Sequence, residues 1–236
     1  MTCICTPRLK LARTTSLTVL ATIVCLAACA PGARPLVGAP TAAALPIAEL
    51  SKSPQQLRFA WTYKDETFEA NGEGVVRHAA PARARLDFFL RNGMAGGYAI
   101  LVDDSLMVPG IDLVRRFLPP VPLLWATLGR LALPPSPDTV ARMVGDTLRA
   151  DLGSLRGRDA SVADGRAWRV SFGGRTLGRV ERIEGGRVIE WITRRRNEAG
   201  QLELTYVHEQ AKRRLGLTVT DTTLVEGFDD AIFRRP

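Results

Sequence analysis

Apolar and polar residues alternate with a period of two over most of the chain beyond residue 56. Leu57, Phe59, Trp61 and Tyr63 interleave with Arg58, Ala60 and Thr62, and Ala84, Leu86, Phe88 and Leu90 interleave with Arg83, Arg85, Asp87 and Arg91. That is the pattern of antiparallel strands that bury one face. Residues 67–78 predict another strand, with Asn71-Gly72-Glu73-Gly74 suggesting a bulge or bend. Residues 98–102 and 105–108 predict a hairpin over Asp103-Asp104. The pattern returns at 166–172, 176–183, 187–193, 202–208 and 215–225, with Glu184-Gly185-Gly186 as a tight hairpin turn. About ten strands result, and no repeat of fixed length is visible.

The middle of the chain follows a different period. Residues 111–118 and 121–131 read as two short helices, separated by Pro119, Pro120 and Pro122. Ser136-Pro137-Asp138 then predicts the start of a third helix, whose apolar positions Val140, Met143, Val144 and Leu148 fit one helical face. The second helix is apolar on almost every side, from Val121 through Leu123, Leu124, Trp125, Ala126 and Leu128 to Leu131. A helix of that kind needs cover from more than one surface. A curved sheet with its concave side toward the helix supplies it. The expected fold is therefore mainly β (α+β): an unclosed antiparallel β-barrel, or half-barrel, with a helical lid at 111–148 inserted mid-chain.

Upstream of the strands the chain begins with Arg8, Lys10 and Arg13, then an apolar run over 17–28 that ends in Leu26-Ala27-Ala28-Cys29. A basic start, a short apolar core and small residues before a cleavage point make a secretory signal peptide. The run is short of the roughly 20 apolar residues needed to cross a bilayer. Leu-Ala-Ala-Cys resembles the lipobox of bacterial lipoproteins. That resemblance implies a diacylglyceryl group on the Cys29 sulfur, cleavage before Cys29 and acylation of the new amino terminus; the competing readings are an ordinary signal peptide with a chance cysteine and an uncleaved anchor. By the same analogy Ala30, where an aspartate would resemble an inner-membrane retention signal, directs the protein to the outer membrane. Residues 30–53 are rich in Ala, Pro and Gly and read as a flexible tether of about 25–30 Å mean span. The expected organisation is thus a signal peptide over 1–28, an acylated Cys29 with its tether over 29–53, and one lipid-binding domain over 54–236.

Composition narrows the function classes. Of the four cysteines, Cys3, Cys5 and Cys25 leave with the signal, so the exported domain has neither disulfides nor cysteine-based metal or thiol chemistry. The net charge is +8, and it falls to about +5 once the three basic residues of the signal are removed. Such a balance suits an anionic lipid surface, although it also matches a simple bias toward arginine. Nucleic acid is not an expected partner of an exported chain. Enzyme chemistry is poorly supported. The run Gly153-Ser154-Leu155-Arg156-Gly157 has the wrong order for a nucleophile elbow. His78 and His208 lie on separate strands and read as strand-surface residues, and Asp103-Asp104 and Asp229-Asp230 read as solvated turns. No cofactor is implied.

Three local features carry a family resemblance over about 57–233. They are Arg83-Ala84-Arg85-Leu86-Asp87-Phe88 followed by a glycine loop and a Tyr-Ala-Ile-Leu-Val strand, Pro122-Leu123-Leu124-Trp125-Ala126-Thr127-Leu128-Gly129-Arg130-Leu131, and the closing Asp229-Asp230-Ala231-Ile232-Phe233. Together they resemble the LolA/LolB superfamily of lipoprotein-localisation and lipid-binding proteins. The resemblance implies an eleven-stranded unclosed barrel with helices across its mouth and acyl chains in its cavity. It also implies transfer or insertion of lipoproteins or lipids at the outer membrane, with a soluble periplasmic carrier as a possible partner. The other reading is a structural or accessory envelope lipoprotein with a self-filled core, acting through protein contacts.

Candidate residues follow from this frame. Phe59, Trp61, Phe88, Leu124, Trp125, Leu128 and Trp168 either line an acyl cavity or pack the core. Met94, set among the glycines of the loop at 91–97, resembles the protruding apolar residue of the membrane-anchored members and reads either as a membrane-touching tip or as a methionine folded back on the sheet. Arg194-Arg195-Arg196 and Lys212-Arg213-Arg214 are the densest basic runs and read as a headgroup patch or as solvated turns.

Overall fold

The alternation is realised as strands throughout. In the computed structural model, which describes residues 33–91, 96–109, 112–134, 136, 138–153 and 166–234, the order begins β1 (Ala39–Pro40), β2 (Gln55–Lys64), β3 (Glu69–Ala79), β4 (Arg83–Leu90), β5 (Gly97–Val102) and β6 (Ser105–Met107). Two helices follow, α1 (Asp112–Phe117) and α2 (Val121–Leu128). The second half is β7 (Thr139–Val144), β8 (Thr147–Leu152), β9 (Arg166–Gly173), β10 (Thr176–Glu184), β11 (Arg187–Arg196), β12 (Leu202–His208) and β13 (Arg213–Leu224), closed by a 3-10 turn over Asp230–Phe233. Cys29, Met94 and the run at 154–157 lie outside the described residues.

All strands form one 13-stranded antiparallel sheet in the order β1-β7-β8-β9-β10-β11-β12-β13-β2-β3-β4-β5-β6. Among the described residues the edges β1 and β6 do not pair, and the barrel is unclosed. The runs β2–β6 and β7–β13 are each a meander of neighbours in sequence; β13 joins them by running against β2 from Arg214↔Lys64 to Leu224↔Gln55, and the short β1 adds to the outer edge at β7. Inward residues of the curved sheet, including Phe59, Trp61, Leu86, Phe88, Val170, Phe172, Val180, Ile192, Leu204 and Leu217, share one core with Val114 and Phe117 of α1 and Leu123, Leu124, Trp125 and Ala126 of α2. The concave face thus wraps the apolar helices.

Three local expectations change. The stretch read as a third helix is the hairpin β7–β8, with Val144 opposite Thr147 across Gly145-Asp146. Gly145 has φ +60°, a conformation that suits a two-residue hairpin turn and ends a helix. Pairing β8 to β9 through Leu148↔Phe172 and Ala150↔Val170 buries Leu148 and Ala150, which a helix face could not align with the sheet. The 111–148 lid therefore shrinks to α1 and α2.

Nor does β3 bulge at its glycines. Its register with β2 runs unbroken from Gln55↔His78 to Lys64↔Glu69. Gly74 and Gly72 stand opposite Phe59 and Trp61, and a β-carbon at Gly74 would collide with the Phe59 ring. The glycines make room for aromatic rings. Finally, part of the segment expected to be a tether lies on the domain. Ala39 and Pro40 pair with β7, Leu131 donates its N–H to the Ala48 carbonyl at 2.9 Å, and Leu50 is buried. Residues 33–234 make one compact unit.

The outward face explains the arginine content. Arg169 grips Asp151 through two hydrogen bonds of 2.6 and 3.0 Å, Arg77 and Arg85 flank Asp87 at 2.7 and 2.9 Å, and Arg179 meets Glu181 at 2.6 Å. These are cross-strand or same-strand pairs on a sheet surface, where the planar fork of arginine suits a carboxylate.

Candidate functional site: an interior cavity under the second helix

The barrel interior is filled at one end and open at the other. The filled end is aromatic. Phe117 of α1 stacks on Trp61 with ring centroids 5.4 Å apart and lies 5.0 Å from Tyr63 and 5.7 Å edge-on from Phe88. Phe88 in turn meets Phe59 edge-on at 5.6 Å. Such pairs add about 0.5–1.5 kcal/mol each beyond their burial. Arg116, next to Phe117, ties α1 to the β2–β3 turn through two hydrogen bonds to Asp65 of 2.7 and 2.9 Å. The Arg116 guanidinium holds the Asp65 carboxyl well below the usual carboxylate range. Tyr63, hydrogen-bonded to the same carboxylate at 2.7 Å, is pushed up to about 12, first by burial and then by that bond.

Beyond Phe59 the packing stops. A cavity of about 340 Å³ lies between the sheet and the end of α2, within the size range of small-ligand sites. Its sheet side carries the aliphatic residues Leu57, Val76, Leu86, Leu204, Leu217 and Val219, with Phe59 at the boundary of the aromatic end, and Ser51 and Gln55 add polar groups to the wall. Glu49, Arg196 and Thr222, all exposed, mark its mouth, and Thr127, Leu128 and Gly129 form its helical side. Gly129 ends α2 with φ +96° and returns its N–H to the Ala126 carbonyl, as expected for a left-handed cap. Trp125, the anchor of the helix, donates its indole N–H to the Asp103 carbonyl at 2.7 Å.

Beyond the exposed groups at the mouth, two titratable side chains line the cavity from the strands. His78 is only 3% exposed and its Nδ1 has no hydrogen-bond partner. Burial, with the Arg194 charge second, lowers its pKa to about 4, so the imidazole is neutral at pH 7. Arg194 donates from a guanidinium nitrogen to the Thr127 carbonyl, one of the orphan carbonyls at the end of α2. Burial lowers its pKa to about 10, with Arg196 adding to the effect; it stays charged.

The residues expected to line a cavity divide. Phe59 and Leu128 stand in its wall. Trp61, Phe88, Leu124 and Trp125 are fully buried in the core, while Trp168 packs against the core from a half-buried position; none of these five lines the cavity. His78, read as a strand-surface residue, is inside. Period two contained the signal, because Val76 and His78 share the face of Gly72 and Gly74 that the β2 aromatics cover. Arg194 shares the inward register of Ile192, opposite Leu204. Its neighbour Arg195 pairs outward with Glu203 at 2.8 Å, and Lys212 reaches Glu66 at 2.5 Å. Among the described residues, no group of three His, Cys, Asp or Glu side chains is placed to hold a metal ion.

No family model matches the sequence, and no curated protein matches it either. Solved structures do. A LolA superfamily protein from Nitrosomonas europaea superposes with a TM-score of 0.50 at 14% identity, over 79% of this chain and 92% of that one. The fold is that of the LolA superfamily. A domain named for outer-membrane lipoprotein sorting from Vibrio parahaemolyticus, at TM-score 0.46 and 8% identity, covers 78% of this chain and 91% of its own. A DUF1329 family protein from Desulfovibrio piger gives 0.43 at 7% identity, covering 78% of this chain and 90% of its own. The fold assignment rests on the first of these. Among the described residues the sheet carries 13 strands, against the eleven that the sequence resemblance implied.

Proposed function

We propose that this chain is a lipid-anchored envelope protein that binds acyl chains inside its half-barrel, as part of lipoprotein or lipid transfer at the outer membrane. The observation that carries the reading is the cavity beneath α2, whose sheet side is a cluster of aliphatic side chains. An apolar void of this size costs the protein packing contacts that it never recovers unless something fills it. A hydrocarbon chain would restore them, at about 0.8 kcal/mol per methylene buried. In this reading Cys29 carries the anchor, the chain meets the domain from Ala33, which donates its N–H to the Gly186 carbonyl, and a soluble periplasmic carrier is the donor. Met94 touches the acceptor membrane. No step of bond making is assigned to the site.

The direct test is organic extraction of the purified protein followed by mass spectrometry, together with titration of a fluorescent fatty acid. Recovered acyl lipid and saturable binding support the reading. Leu217→Trp, which fills the cavity, should abolish that binding while the protein still melts cooperatively. Met94→Glu should stop delivery to liposomes and leave uptake intact. A second reading, a structural lipoprotein acting through protein contacts, is favoured by the aromatic end of the barrel, which Phe117 fills with the protein's own side chain. A lipid-free protein that refuses fatty-acid probes would decide for it.

A further inference from the structure

We propose that the cavity selects acyl ligands that end in an anion, with Arg194 and His78 as the receptor for the charged head and the aliphatic wall as the receptor for the chain. The inference rests on the acyl-binding reading and names the ligand class for the same cavity.

The first observation is a contrast among arginines. Arg77, Arg85, Arg116, Arg169, Arg179 and Arg182 each meet a carboxylate oxygen within 2.9 Å. Arg194 meets none. Its hydrogen bond is the one to the Thr127 carbonyl, which leaves most of a five-donor fork unused while the side chain is half-buried in the cavity wall. A cation withdrawn from water without a counter-ion is costly. Glu49, the carboxylate at the mouth, is exposed and makes no ion pair with it. The structure therefore holds a half-buried positive charge, without a carboxylate partner among the described residues, beside the aliphatic side of the cavity.

The second observation is independent. His78 is almost fully buried, lines the same cavity and keeps an unpartnered nitrogen. Buried polar nitrogens are nearly always satisfied. Held neutral by burial and by Arg194, the imidazole can donate one hydrogen bond to an anion that Arg194 neutralises. Arg196, exposed at the mouth and bonded to the Gly200 carbonyl at 2.6 Å, adds positive potential along the way in. Arg194 sits at the carboxyl end of α2, where the last carbonyls favour a cation and hold it at the cavity wall. Its guanidinium lies over Gly129, where an added β-carbon would come within 3.1 Å of it.

The test compares dodecanoate with its methyl ester by calorimetry on the wild-type protein. Charge-assisted hydrogen bonds to the head predict that the ester binds about 10- to 100-fold more weakly. Arg194→Gln, which keeps a donor for Thr127, should bring the acid down to the affinity of the ester and leave the ester unchanged. If the variant fails to fold, the acid–ester comparison on the wild type decides alone. Equal binding of acid and ester would overturn the inference and leave the acyl reading standing; failure of both to bind would remove the acyl reading and the inference with it. Full competition by acetate or inorganic phosphate would make the occupant a small free anion and also overturn it.

Discussion

Acidification should destabilise this protein in a window set by His78. Its pKa is about 4 in the fold against 6.5 for the free side chain, because burial penalises the charged imidazolium and Arg194 repels it. Between those values the unfolded chain binds a proton that the native one refuses. Stability therefore rises with pH across the window and falls as the pH drops from 6.5 toward 4. At about 1.4 kcal/mol for each unit of pKa, the full loss is about 3 kcal/mol, and about 2 kcal/mol is gone by pH 5. Asp65 acts elsewhere: Arg116 depresses its pKa, so its contribution is present above the ordinary carboxylate value and is lost only as the pH falls below that range. Urea unfolding at pH 7 and pH 5 measures the effect. In His78→Gln the stability difference between the two pH values should shrink by about 2 kcal/mol. Parallel wild-type and variant profiles would refute the reasoning, as would an NMR titration of His78 with a midpoint near 6.5.

Glu190 is fully buried and held by Arg182 at 2.5 Å and by the Tyr206 hydroxyl at 2.6 Å. Arg182→Met should cost about 3–5 kcal/mol by stranding that carboxylate, read as a lower denaturant midpoint, and adding Glu190→Met should recover much of the loss. Gly74→Val should destabilise by at least about 1–3 kcal/mol through overpacking against the Phe59 ring, measured by thermal unfolding. Under the lipoprotein reading, Cys29→Ser should move the protein from the membrane fraction to the soluble fraction, and retention on the membrane would reject the lipid anchor.

Much of the architecture was legible because it is written in side-chain period. Alternation at 57–63 and 84–90 is a local consequence of strand geometry, and a helix apolar on every side forced a curved sheet around it. The hairpin at 139–152 was not legible in the same way. Val140, Met143, Val144 and Leu148 satisfy a 3.6-residue period as well as a place in a sheet, and only the partner strand β9 decided between them. The glycines at 72 and 74 carried an ambiguous signal, since a bulge and a seat for an aromatic ring both require a missing side chain.

By itself the sequence determined the strand faces, the apolar helix, the amino-terminal motif ending in Cys29 and the absence of cysteine chemistry beyond it. Each of these depends on residues close together in the chain. Tertiary structure alone decided which apolar residues touch one another and which face a void. By sequence Trp61, Phe88 and Trp125 suit either a cavity wall or the core, and contacts with Phe117 and with the Asp103 carbonyl place them in the core. His78 and Arg194, 116 positions apart, looked like surface residues, and the pairing of β13 with β2 brings their strands around one cavity. Burial and charge pairing are properties of neighbours, and the neighbours here come from opposite halves of the chain.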